Sequence, residues 1–131
     1  MFFIALGIAL ALFPGNPLFA IWNQAAAKVF FGGAMPQEAA AFQSFLFGPL
    51  GGTMAGSYLL QAFIVWGPFK QREKWAWHAV WWSMLLWFLV DSAMSVHHGA
   101  WFNVWMINLV PVALIGLPLA MMYRFFQAND E

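Results

Sequence analysis

The sequence predicts an all-α integral membrane bundle of four transmembrane helices, with one interfacial helix after the first span. Three observations predict it. Hydrophobic residues make up 63% of the 131 residues and charged residues only 8%, against about 45–50% and about 25% in an ordinary soluble domain. The apolar residues fall into four stretches separated by proline, glycine and charged punctuation. A chain of this size folded in water could not hide so much apolar surface, because small domains have a poor surface-to-volume ratio, whereas lipid solvates an apolar exterior.

The first expected span is residues 1–13, which is short, since crossing the hydrocarbon takes about 20 residues. It has the apolar character of a signal peptide but lacks a basic leading region and a small-x-small cleavage site, so it is read as retained. Pro14-Gly15-Asn16-Pro17 breaks it. Asn16 followed by Pro17 is a helix start, an N-cap and then a proline at the first helical position. The helix over 17–31 ends at Gly32-Gly33. Asn23, Gln24 and Lys28 fall in one sector of its wheel, which fits a helix lying in the membrane interface.

The second expected span covers 39–66. Gly48, Gly52 and Gly56 recur at every fourth position, a small-xxx-small row that lets another helix approach closely. Packing against another span of the same chain is the first expectation for this row and self-association the second. Pro49 predicts a kink, with Thr53 and Ser57 placed to bond freed carbonyls. Gly67-Pro68 ends the span. The loop Lys70-Gln71-Arg72-Glu73-Lys74 holds three of the five basic residues and is assigned to the cytoplasm by the positive-inside rule. The third span, 75–96, runs outward and the fourth, 101–123, returns. Both termini are then cytoplasmic, and an inner-membrane location of bacterial type is expected.

Asp91 is the most informative single residue, because an ionisable group inside a span is costly and marks a functional candidate. On a continuing helix Asp91, Ser95 and His98 share a face, and Asn103 on the fourth span is nearby, with Asn108 deeper. The first expectation is a structural Asp91 that pairs with His97 or His98 and pins the turn. The second is that the set forms a polar pocket for a proton, a cation or a lipid headgroup. No metal site is predicted: Asp91, His97 and His98 supply at most three ligands, and adjacent histidines on a helix diverge by about 100°. Trp75, Trp77 and His78 are candidates for the interface, where indoles prefer to sit. The sharper reading of His78 is a quinone or haem contact. All three histidines lie on the third helix or its end, so no cofactor is predicted within the chain. A quinone or pigment shared with a partner is the alternative.

Several classes are excluded. Net charge is zero with no basic face, so nucleic acid is not a partner. Cysteine is absent, which removes disulfides, thiolate metal sites and thiol catalysis. No nucleophile elbow, P-loop, dinucleotide fingerprint or carboxylate pair is present, and the balance leans away from an enzyme.

In plan, the chain resembles small bacterial four-span proteins of the DoxX-like kind. The features are a short first span ending at Phe13-Pro14, the segment 17–31, a glycine-rich second span, and GPFKQREKWAW at residues 67–77 as the basic inner loop. The resemblance implies a four-span fold. Some members of that group are linked to quinone-coupled sulfur oxidation, and it transfers no catalytic residue to this sequence. The first functional expectation is an accessory or structural subunit that packs in a larger membrane complex or with itself, with membrane lipids and other membrane subunits as partners. The second is a membrane enzyme or binder for a quinone, isoprenoid or lipid. A transporter or channel ranks last, because four spans with one buried acid are few for a pathway.

Overall fold

A computed structural model describes residues 1–127. Among them there are helices and turns and no strand. We name the helices α1 (Phe2–Leu12), α2 (Ala20–Phe31, led in by a 3-10 turn at Pro17–Phe19), α3 (Gln37–Ile64), α4 (Lys74–His97), α5 (Trp101–Met121) and α6 (Tyr123–Gln127). The chain divides into two compact units, residues 1–62 and 63–131, with the boundary in the last turn of α3.

Of the four expected spans, two or up to three qualify by length and composition among the described residues. Two helices, α4 and α5, are both long and apolar enough to cross a membrane, and a third crossing exists only if the bent pair Phe2–Leu12 and Pro17–Phe31 counts as one span. At 1.5 Å per residue, α4 and α5 reach about 36 and about 31 Å, against about 30 Å of hydrocarbon. The 11 residues of α1 reach only about 16 Å. The first span and the interfacial helix of the sequence reading are the two arms of that pair, bent by 101°. With 28 residues α3 has the length, but Gln43, Ser44, Thr53, Ser57, Gln61 and its glycines dilute its apolar character.

Within unit 1, the bend is capped locally. Asn16 Oδ1 accepts the Leu18 N–H at 2.9 Å, and Asn23 Nδ2 donates to Pro14 O at 3.4 Å. Gly32, at φ +72°, ends α2 in the left-handed conformation, with Gly33 N–H bonded to Ala27 O at 3.1 Å. Helix α1 lies directly against α3 through Gly7 and Gly51. A Cβ on Gly7 would stand 2.8 Å from both Ala55 N and Gly51 O, and one on Gly51 would meet Gly7 O and, at 2.7 Å, Ala11 N. Two small-xxx-small pairs, Gly7/Ala11 and Gly51/Ala55, therefore interlock. Phe3 stacks on Tyr58 at 4.7 Å beside them. The row Gly48, Gly52 and Gly56 does not make this contact: a Cβ added at any of the three would meet nothing within 4 Å. Helix α3 passes through Pro49 without a break, and the Thr53 hydroxyl donates to Pro49 O at 2.8 Å.

Unit 2 pairs α4 with α5. Two π turns interrupt α5, at Val104–Asn108 and Val112–Gly116. Each contains the carbonyl four residues before a proline, Ile107 before Pro111 and Leu114 before Pro118. A proline cannot bond that carbonyl and its ring crowds it, so the helix widens there. Trp77, Val80, Leu119 and Phe126 form the buried core, flanked by Phe69, Trp81 and Ile115. Trp77, expected at an interface, is only 7% exposed. Its indole N–H donates to Leu119 O at 2.8 Å, a carbonyl left over where α5 stops, and its ring lies 4.7 Å from Tyr123 and 5.3 Å from Trp81. The rest of the pair's surface is apolar and uncovered: Leu86, Val90, Leu114 and Leu117 are all more than half exposed.

Candidate functional site

The polar residues of unit 2 collect on the facing sides of α4 and α5. Asp91 and Ser95 are one turn apart on α4, and Asn103 comes from the first turn of α5. Asn103 Nδ2 donates to Asp91 Oδ2 at 3.2 Å and to Ser95 Oγ at 2.9 Å. Deeper in the pair, Asn108 Nδ2 donates to Ser92 Oγ at 2.9 Å. Asn108 is wholly buried, and its Oδ1 has no partner. The seam thus has two rungs, one reaching a half-buried carboxylate and one ending in a sealed amide. Asn108 closes the first π turn, and such turns commonly place polar side chains where a regular helix would not.

The structure brings together Asp91, Ser95 and Asn103. It does not bring in His98, whose ring is exposed and packs edge-on against His97 at 4.9 Å. Asp91 is held by an amide and not by a histidine, which corrects the expected pairing with His97 or His98. The reason lies at the end of α4: Gly99, at φ +71°, turns the chain while Ala100 N–H bonds Ser95 O at 2.8 Å. That turn delivers Asn103 to the Asp91 face and leaves both imidazoles outside. Among the described residues no three His, Asp or Glu side chains converge as a metal site would need.

His78 is exposed on α4, in a shallow hollow of about 360 Å³ with Trp77, Trp81, Trp82, Ala120 and Tyr123. Trp75 is exposed and its indole N–H donates to Glu73 Oε2 at 2.7 Å. In unit 1, Asn23 and Gln24 of α2 line a second hollow of about 450 Å³ with Gln43 and Ser44 of α3, and Asn23 Oδ1 is buried without a partner.

Sequence reasoning missed Ser92 and the Gly7–Gly51 contact. Ser92 is set off from Asp91 by only one residue, and a second seam rung needed the widened turn of α5 to reach it. Gly7 and Ala11 did carry a readable signal, a small-xxx-small pair in the first helix. No family model matches the chain, and no curated protein and no solved structure is significantly similar to it. The fold and the seam define an all-helical protein with two apolar helices compatible with a membrane protein. The likeness to the DoxX-like plan stands on sequence pattern alone.

Proposed function

We propose that the protein is a small integral membrane protein that serves as an accessory or structural subunit, packed in a larger membrane complex or with copies of itself. The observation that carries this reading is the open glycine row of α3. A Cβ added at Gly48, Gly52 or Gly56 would meet nothing within 4 Å, on a helix whose composition alone does not suit it to lipid on all sides. A second helix laid along the row gains close van der Waals contact that lipid tails cannot match. In this reading the Lys70–Lys74 loop and Arg124 face the cytoplasm, as does the C-terminal end, which lies outside the described residues.

Gly52→Leu tests the reading cleanly, because space is open at Gly52 and the chain's own packing is untouched. The native-detergent particle of the wild type is expected to be larger than one chain, and Gly52→Leu to shift it to the monomer. A monodisperse, unpartnered wild-type monomer sinks the proposal.

The second reading is a binder for a quinone, isoprenoid or lipid at the α4–α5 seam. It is favoured by the single donor group of Asn103 serving both Asp91 and Ser95, which orients a carboxylate beside an apolar surface. Asp91→Asn keeps the shape and removes the charge. On this reading it weakens binding of such a ligand about tenfold, in keeping with a hydrogen bond to a charged group, and unchanged binding removes Asp91 from any site.

A further inference from the structure

We propose that the aromatic hollow between the start of α4 and the end of α5 seats the headgroup of an anionic phospholipid. The inference rests on α4 being a membrane span and is separate from the glycine row and the Asp91 seam. The hollow is lined by His78, Trp81, Trp82 and Tyr123, with Trp77 and Ala120.

Its polar groups are mostly donors. Trp77 spends its indole N–H on Leu119 O, but among the described residues the indoles of Trp81 and Trp82, the Tyr123 hydroxyl and the His78 ring make no hydrogen bond. Indole N–H groups can only donate, and phenol and imidazole can donate too. A site built this way suits a ligand rich in acceptor oxygens on an apolar body.

Charge narrows the class. Arg124 follows Tyr123 directly. Four of the five basic residues, Lys70, Arg72, Lys74 and Arg124, fall at this end of unit 2. Among the described residues at this end the one acid is Glu73, which accepts the Trp75 indole N–H and keeps its charge, so the cations remain in excess. A phosphate oxygen set fits donors beside cations, whereas a neutral carbonyl ligand gains nothing from the charge.

Depth agrees with a lipid. Lys74 opens the helix and Trp82 lies eight residues along it, about 12 Å further at 1.5 Å per residue. The hollow therefore straddles headgroup and hydrocarbon levels. The phosphate would sit by His78 and Tyr123, and the acyl chains would run over Trp81, Trp82 and Ala120. Juxtamembrane basic residues add attraction to an anionic leaflet.

The test uses the full chain in mild detergent, exchanged against phosphatidylglycerol, phosphatidylcholine or a short-chain benzoquinone, with retained molecules read by native mass spectrometry. The wild type is expected to retain phosphatidylglycerol about tenfold over phosphatidylcholine, the factor that one charge-assisted contact supplies. Arg124→Gln and Trp82→Leu should bring the ratio below about twofold on the same scale. Both side chains are exposed, so helicity should be unchanged. Trp105→Leu, exposed on α5 away from the hollow, should leave the ratio intact. Equal retention of the two lipids, or a ratio that survives both hollow variants, overturns the proposal. Retention of the benzoquinone in place of phosphatidylglycerol also overturns it and assigns the hollow to a neutral carbonyl ligand. A chain that never enters a bilayer fails at the earlier reading, visible as release from membranes by carbonate wash.

Discussion

Replacing Gly51 by leucine is expected to detach α1 from α3, and even Gly51→Ala should cost about 1–3 kcal/mol. The obstacle is backbone. A Cβ at Gly51 would stand 2.7 Å from Ala11 N and 2.9 Å from Ala11 Cβ, and nearer still to Gly7 O. None of these is the end of a flexible side chain, so the two helices must move apart along their whole contact. Separation forfeits dispersion contacts that each decay steeply over a fraction of an ångström. Gly7→Ala should behave alike, since its Cβ would meet Ala55 N and Gly51 O at 2.8 Å. Gly52→Ala is the control on the same helix: nothing lies within 4 Å, and alanine is the better helix former by up to about 1 kcal/mol. Titration with a denaturing detergent, read by far-UV circular dichroism, ranks the three. Equal behaviour of Gly51→Ala and Gly52→Ala would show that α1 does not pack on the Gly51 face.

Trp77→Ala should be the most damaging change in unit 2, at about 3–5 kcal/mol for emptying a buried aromatic site. The indole is buried at 7% exposure, and it bridges the two helices, touching Trp81 on its own helix and Tyr123 just beyond α5. Trp77→Phe separates packing from hydrogen bonding. It keeps an aromatic ring but leaves Leu119 O without its donor, a loss of about 1 kcal/mol. Trp82→Ala removes the same side chain from an exposed position and should change little. The same detergent titration measures all three, and a Trp77→Ala protein as resistant as Trp82→Ala would mean that the buried indole contributes nothing to the α4–α5 pair.

The break points of the chain were legible in the sequence because they are local. Asn16-Pro17, Gly32-Gly33 and Gly99 act through their own backbone preferences, and each stands at a helix start or end. Gly67-Pro68, expected to end the second span, instead lies inside the π turn Val65–Phe69 that carries α3 on to Phe69. The gathering of Asp91, Ser95 and Asn103 was legible too, since i, i+4 spacing on one helix and a short turn to the next leave few other arrangements. The partner of Asp91 was not, because a histidine on the same helix and an amide on the next are equally near in sequence. Only the turn at Gly99 selects the amide.

By itself, the sequence determined that the protein is helical, that its surface is apolar, and where its helices begin and end. These follow from composition and from backbone chemistry within a few residues. The count of two or three spans follows from where each helix starts, bends and stops and from its apolar content. The tertiary structure alone decided which glycines meet a neighbour. The two small-residue rows of α3, 48/52/56 and 51/55, are offset by one residue, or about 100° around the helix. Composition permits either row to face α1, and the choice belongs to the rotation of α3 against the Gly7–Ala11 surface.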